Sequence, residues 1–435
     1  MLYAINLNSQ QHIVIIGNGI SGITAARHIR KRSNHRITVI SAETDYFFSR
    51  TALMYIYMGH MKFEHTKPYE DWFWEKNRIN LKRAFVSKVN ADSNSVLLDS
   101  GEELKYDDLI IATGSSSNKF GWPGQDLVGV QGLYNYQDLE SMETNTEGIA
   151  RAVVVGGGLI GIEMVEMLLS RQIPVTFLVR EESFWNNVLP KEESELINKH
   201  IQSHHVDLRL ATELKEIHSD DNGVVSAITT GDGEKIDCQF VGLTVGVHPN
   251  ISFLKEAGIE LDRGVLVDEQ LRSNHPNIYA IGDCAQLRNP VKNRRAIEPV
   301  WYTGKMMGET VAATICDKPT DYNPGIWFNS AKFFDIEYQT YGYVPAKMQD
   351  DEETLYWESK DARRCLRIVF KKESKVVVGF NAFGIRLRHN VCDNWLRNGA
   401  TLDQVVANLG KANFDPEFFK KFEKQVQSHF EIAKS

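Results

Sequence analysis

The sequence predicts an α/β chain with two units of parallel sheet and an α+β region at its carboxyl end, and three observations carry that prediction. A short continuous apolar run, Ile13-Val14-Ile15-Ile16, ends directly in glycines. A second run, Ala152 to Val155, ends the same way far downstream. From about Tyr322 onward the pattern changes to short strands, Thr354 to Glu358, Cys365 to Phe370 and Val376 to Phe380, followed by a helical stretch, Asn390 to Asn398.

His12 to Gly17 is the kind of segment that fills a parallel strand buried on both faces. Gly17, Gly19 and Gly22 form GxGxxG, Ile23 to Arg32 has helical composition, and Ile37 to Ile40 is a second apolar run. That is a complete strand, helix, strand unit. The first glycine permits a tight turn, the second lets backbone approach a pyrophosphate, and the third lets helix and strand pack closely. A phosphate then rests at the helix N-terminus, where unpaired N–H groups and the helix dipole favour an anion. Glu43, about 20 residues past the last glycine, stands where an acidic side chain accepts hydrogen bonds from an adenosine ribose.

One such fingerprint is a weak signal, but the second is equally complete. Gly156, Gly158 and Gly161 are followed by a helical stretch and the strand Val175 to Val179. Two fingerprints in full context predict two Rossmann-like dinucleotide-binding domains, whereas a chance glycine turn accounts for only one such unit with any ease.

Composition sets the remaining bounds. The 435 residues, 42% hydrophobic and 24% charged, lie within ordinary globular limits, and at roughly 150 residues per domain they suggest about three domains. A net charge of -8 without a long Lys/Arg run removes the footprint that phosphate-backbone binding needs, so nucleic acid is not an expected partner. Met1 to Gln11 has no basic region leading into an apolar run, and no window approaches the ~20 apolar residues that span a bilayer. A cytoplasmic protein without a transmembrane segment is expected. The five cysteines are odd in number and scattered, so neither a disulfide framework nor a metal site is signalled.

Two further motifs make a resemblance specific. Leu109-Ile110-Ile111 leads into Ala112-Thr113-Gly114, and Ile278-Tyr279-Ala280-Ile281 leads into Gly282-Asp283. The order GxGxxG, ATG, GxGxxG, AxGD resembles the two-dinucleotide-binding flavoproteins of the pyridine nucleotide-disulfide oxidoreductase type. Within that group it is most similar to rubredoxin, ferredoxin and nitrite reductase flavoproteins, and the likeness covers nearly the whole chain.

The resemblance implies that the first fingerprint binds the FAD pyrophosphate and that Gly282 and Asp283 hold the flavin ribityl chain. Ala112, Thr113, Gly114 and Val86 join the FAD-binding set on the same ground. It implies that the second fingerprint belongs to an inserted NAD(P)H domain, the chain leaving the FAD domain near Ser117 and returning near Gly246. The expected domains are therefore 1–117 with 246–321 for FAD, 118–245 for NAD(P)H, and 322–435 as a third domain that forms a homodimer interface in many members and none in others. A homodimer is left open.

The segment Ile37 to Leu53 is similar to rubredoxin reductases, which places Glu43 on the adenosine ribose and Arg50 along the FAD diphosphate, the alternative for Arg50 being a solvated surface charge. Glu163 matches a glutamate near the nicotinamide and flavin N5, against the alternative of a plain surface glutamate; its usual lysine partner is replaced by Tyr55. Trp301 falls at the start of a helix whose N-terminal amides approach the flavin pyrimidine carbonyl. Its ring either stacks near the isoalloxazine or packs the core. Both Glu163 and Trp301 are taken as catalytic candidates.

Missing residues exclude some chemistry. Ser41 to His60 contains no cysteine, and only a thiolate attacks a disulfide. Cys284 follows Asp283, but a small buried cysteine is the commoner fate of such a position. Hydride transfer from NAD(P)H to FAD remains, with electrons leaving for a separate acceptor, best a small iron-sulfur or rubredoxin-like carrier protein. Val179 stands where an NADH-preferring relative usually has an acid. Arg180, next to it, suits a 2'-phosphate, which favours NADPH, although Glu181 suits an unphosphorylated ribose. A peripheral quinone reductase is the alternative enzyme. It rests on the stretch Pro416 to Ala433, where Phe418, Phe419, Phe422, Val426 and Phe430 share one helical side, the bland reading being a helix docked on its own protein. A flavin-bound regulatory protein with slow turnover is the alternative from another class.

Overall fold

The computed structural model describes residues 10–414 and 421–434. The chain divides into two compact units. One comprises Met1–Asn118, Gly132–Thr144 and Val247–Pro324; the other comprises Lys119–Gln131, Asn145–Gly246 and Gly325–Ser435.

In the first unit five parallel strands lie in the order Ile278–Ala280, Asp108–Ile111, His12–Ile16, Arg36–Ser41, Ile79–Arg83. Ile13 to Ile15 are fully buried, as a central parallel strand covered on both faces requires. The helix Ile20–Arg32 starts directly after Gly19, three residues earlier than composition alone suggests. It packs against the helix Trp301–Cys316. Ser115–Ser117 and Val247–Pro249 pair antiparallel where the chain leaves this unit and returns to it.

The second unit repeats the pattern with parallel strands in the order Asp207–Arg209, Val175–Leu178, Ala152–Val155, Phe240–Leu243, Val130–Gln131. It also holds a five-stranded antiparallel sheet, Phe328–Phe333, Ile336–Gly342, Val377–Phe383, Cys365–Lys371 and Glu352–Glu358. The helix Leu159–Ser170 follows the second fingerprint.

Two features depart from the sequence reading. Gly132–Thr144 groups with the first unit, although it falls inside the expected 118–245 insert, and the region after 324 forms one unit with the second nucleotide fold. The first departure has a local cause: Arg50 donates to the Tyr134 carbonyl at 2.7 Å, and the Tyr136 N–H donates to Glu43 at 2.9 Å. These bonds tie the segment to the loop after the second strand.

At the carboxyl end, the described helix is Glu423–Lys434. Phe422, Val426 and Phe430 are buried in one cluster with Trp357, Leu366 and Val405 of the same unit. These three residues of the apolar side are therefore spent on their own protein, which favours the docked-helix reading for the described part of the stretch. Phe418 and Phe419 lie outside the described residues.

Candidate functional site: two glycine cradles

The first cradle is built by steric necessity. Gly17 has φ +112°, and a β-carbon there would lie 2.1 Å from the Ala112 carbonyl oxygen. Its N–H donates to Ile40 at 2.8 Å, which fixes the turn to the neighbouring strand. A β-carbon at Gly22 would lie 2.1 Å from the Gly17 carbonyl, so helix and turn meet only through glycine. Gly19 differs, because nothing lies within 4 Å of the position its β-carbon would take. It is also the N-cap of the helix and offers no side chain to the first N–H groups. Open space in front of uncapped amides is what a pyrophosphate needs.

Gly282 and Asp283 arrive from the strand Ile278–Ala280, two positions along the same sheet. A β-carbon on Gly282 would meet the Ser21 hydroxyl at 2.4 Å, which seats this turn on the start of the first helix. The Asp283 carboxylate accepts from the Ser115 hydroxyl at 3.1 Å and from Tyr134 Oη at 3.2 Å. Burial pushes its pKa up, against the pull of those two bonds and of Arg50. Tyr134 Oη in turn accepts the Ser115 N–H at 2.8 Å, and burial pushes its own pKa up.

Arg50 and Glu43, expected on separate parts of one ligand, form a bidentate pair at 2.7 and 2.5 Å. Arg50 is not a solvated charge: its guanidinium also lies over the Tyr134 ring, 4.8 Å from the centroid. Glu43 and Tyr134 take three of the five N–H donors a guanidinium carries. Ala112 N–H donates to Ile16 at 2.8 Å, Thr113 donates its hydroxyl to the Asn250 carbonyl at 2.7 Å, and the Gly114 carbonyl accepts from Asn250 N–H at 2.9 Å. The ATG motif therefore anchors the return crossing of the chain. Val86 is buried at the start of the strand Val86–Asn90. Trp301 opens its helix, with Val300 as N-cap, and is 37% exposed.

Sequence reasoning missed Tyr134, Tyr136 and Ser115. Only the fold brings Gly132–Thr144 back to the first unit, and no local motif marks it.

The second cradle follows the same rules. Gly156 has φ +115° with the Thr244 carbonyl 2.5 Å from its would-be β-carbon, and Gly161 abuts the Gly156 carbonyl at 2.2 Å, while Gly158 faces open space. Gly246, at φ +90°, ends the segment of this unit that carries the cradle. Glu163, one turn into the helix, has its pKa raised to about 7 by burial and by Glu166, against Lys332. Lys332 bridges to Glu166 at 2.7 Å. The Val179 side chain packs toward Gly157 and is fully buried, whereas Arg180 is largely exposed and pairs with Glu181 at 2.9 Å. Tyr55, where a lysine was expected, stacks on His60 at 6.1 Å in the first unit.

Both cradles fit a dinucleotide: each offers open space at its middle glycine and an uncapped helix start. The five cysteines fit no thiol chemistry. All are free, and burial raises each pKa, Cys238 and Cys392 to about 12.

The fold and these sites define an α/β protein with two GxGxxG cradles in separate units. The family model for pyridine nucleotide-disulphide oxidoreductases matches residues 11–308, and the chain belongs to that family. It is 29% identical over 283 residues to a nitrite reductase [NAD(P)H] of Bacillus subtilis (strain 168), covering 64% of this chain and 35% of that protein. It is 29% identical over 371 residues to a ferredoxin–NAD(P)(+) reductase of Sphingomonas sp, covering 84% of this chain and 88% of that one. The chain thus spans about a third of the nitrite reductase and most of the ferredoxin reductase. Among solved structures, an NAD-dependent persulfide reductase from A. fulgidus shares the fold, with TM-score 0.83 and 23% identity, covering 97% of this chain and 83% of that one.

Proposed function

We propose that this chain is an FAD-dependent oxidoreductase that takes hydride from NAD(P)H and passes electrons to a separate small iron-sulfur or rubredoxin-like carrier. The observation that carries the reading is two complete glycine cradles in a chain whose thiols are all held protonated by burial. FAD, when bound, supplies a two-electron acceptor that releases electrons singly. Of the relatives named above, the ferredoxin reductase supports a carrier protein as acceptor.

In this reading Gly17, Gly19 and Gly22 present backbone N–H groups to the FAD pyrophosphate, and Asp283, held by Ser115 and Tyr134, fixes the ribityl chain. A carboxylate has about four acceptor sites. Glu43 uses three on Arg50 and Tyr136, which leaves capacity for a ribose hydroxyl. Val86, Ala112, Thr113 and Gly114 shape the same pocket, and the amides at the start of the Trp301 helix offer positive potential to the ring. Gly156, Gly158 and Gly161 hold the nicotinamide dinucleotide, and Gly246 marks the return to the FAD domain. Glu163 orients the nicotinamide end. Arg180, free of burial, meets a 2'-phosphate, which favours NADPH. Unpaired thiols suit a reducing compartment such as the cytoplasm.

The test is anaerobic titration of purified protein, following flavin absorbance at about 450 nm, with NADPH and NADH and then ferredoxin or rubredoxin. Rapid bleaching and reoxidation by a carrier is the expected result. Absence of bound flavin, or no bleaching by either nucleotide, overturns the reading.

A further inference from the structure

The helix Lys191–Ser203 and the hairpin between Phe328–Phe333 and Ile336–Gly342, both in the second unit, bring together three ligating side chains that neither cradle uses. His200 lies in the last turn of that helix and His204 is its C-cap, four residues on, which brings their ring centroids to 4.6 Å. Asp335 occupies the two-residue turn of the hairpin. Its Oδ1 lies 2.7 Å from His200 Nε2 and 3.7 Å from His204 Nε2, and all three ligand atoms lie within 4.8 Å of one another.

The ring nitrogens are already sorted. His204 Nδ1 lies 3.0 Å from the His200 carbonyl, so it carries the proton and Nε2 keeps its lone pair. The His200 ring donates to the Phe333 backbone. Its Nε2 is buried, side chain 7% exposed, and makes no hydrogen bond despite the nearby carboxylate. A buried imidazole nitrogen left without a hydrogen bond, beside a carboxylate and near a second imidazole nitrogen, is available as a metal ligand.

The surroundings hold the three groups in place. Phe334 lies flat on His204, ring centroids 4.2 Å apart at 9°, and Arg363 pairs with the other oxygen of Asp335. Such outer partners orient a metal's ligands.

We propose that His200, His204 and Asp335 form a binding site for a borderline divalent cation, best Zn²⁺, that clips the helix of the second nucleotide fold to the hairpin of the antiparallel sheet. Two neutral imidazoles and one carboxylate suit Zn²⁺, with Co²⁺, Ni²⁺ and Cu²⁺ as competitors. Ligand bonds of about 2.0–2.2 Å need the His200 and Asp335 atoms to part by only about half an ångström, and the half-exposed carboxylate leaves a fourth position for water. Two cysteine-free elements more than a hundred residues apart in sequence supply the ligands, so no cysteine spacing announces them.

The test uses untagged, chelator-treated full-length protein with its cofactor in place, and Zn²⁺ or Co²⁺ alone as the probe. Equilibrium dialysis should show one Zn²⁺ per chain, Co²⁺ should give the intense visible bands of low-coordinate cobalt, and Zn²⁺ should raise Tm. Because His200→Ala risks the fold, the diagnostic variants are His204→Gln and Asp335→Asn on the half-buried and exposed ligands; each should weaken Zn²⁺ binding at least about tenfold. Absence of stoichiometric binding by the parent protein, or binding unchanged in both variants, overturns the proposal.

Discussion

The two cradles share a backbone and differ in what surrounds it. Gly17 and Gly156 adopt nearly the same φ, +112° and +115°, each facing a carbonyl that forbids a β-carbon. Past the second strand the likeness ends. In the first unit Glu43 is bound to Arg50 and to the Tyr136 N–H, and Arg50 is covered by Tyr134. In the second, Arg180 is exposed and pairs with the half-buried carboxylate of its neighbour Glu181. A pre-formed, hydrogen-bonded frame suits a ligand that stays, and a solvent-facing charge suits one that comes and goes. Under the function proposed above, nearly the same glycine geometry serves two residence times, with the difference set by side chains outside the motif.

The most severe way to break this comparison is to add one methyl group to each cradle. Gly17→Ala forces a β-carbon into the Ala112 carbonyl at a left-handed φ, and it should cost more than about 3 kcal/mol and leave protein without flavin. Gly156→Ala, with the same strain against Thr244, should keep the flavin and lose nicotinamide binding. Absorbance spectra and nucleotide titrations separate the two, and loss of flavin in both would show that the cradles are not independent.

A smaller effect sharpens the contrast between the two helices. The first, Ile20–Arg32, has no acidic residue, whereas the second carries Glu163, raised from 4.5 to about 7. A carboxyl whose folded pKa is raised binds its proton more tightly in the native state. Its contribution is therefore full below about pH 4.5 and is lost as pH rises toward about 7. Glu163→Gln should remove up to about 2 kcal/mol of that decline, read as denaturation midpoints at several pH values. Glu193, also raised to about 7, keeps its own share. An unchanged slope in Glu163→Gln would show that the carboxyl is freely solvated.

Arg50→Met tests the frame of the first cradle. It leaves Glu43 without its bidentate partner and should lower Tm by the equivalent of about 1 kcal/mol, since both groups retain some exposure, while flavin dissociates faster. The smallest expected change is in the exposed pair of the second cradle. Arg180→Ala should shift the NADPH-to-NADH ratio of kcat/KM about tenfold toward NADH, the loss of roughly one charge-assisted contact. No shift would remove Arg180 from nucleotide choice.

Strands, fingerprint glycines and helix starts were legible in sequence because they depend on residues a few positions apart. His12–Ile16, Ala152–Val155 and Cys365–Lys371 lie within a residue of where apolar pattern alone puts them. Tyr134 and Ser115 were not legible, because what makes them matter is contact with Asp283, more than a hundred residues away, and neither carries a local signature. The pairing of Glu43 with Arg50 was hidden for the opposite reason. The two are close in sequence, but the motif resemblance gives each a ligand, and a loop conformation decides whether they meet first with each other.

The route of the chain carries a consequence for biosynthesis. It passes between the two units at 118/119, 131/132, 144/145, 246/247 and 324/325, so neither is a contiguous piece. The edge strand Ile278–Ala280, with Gly282 and Asp283 behind it, leaves the ribosome after nearly all of the second nucleotide fold. At about 5–20 residues per second, the earlier strands of the first sheet must wait many seconds with an unpaired edge at Asp108–Ile111. A nascent chain would then offer that edge to chaperones, and the first cradle would fill only after its last wall had been translated.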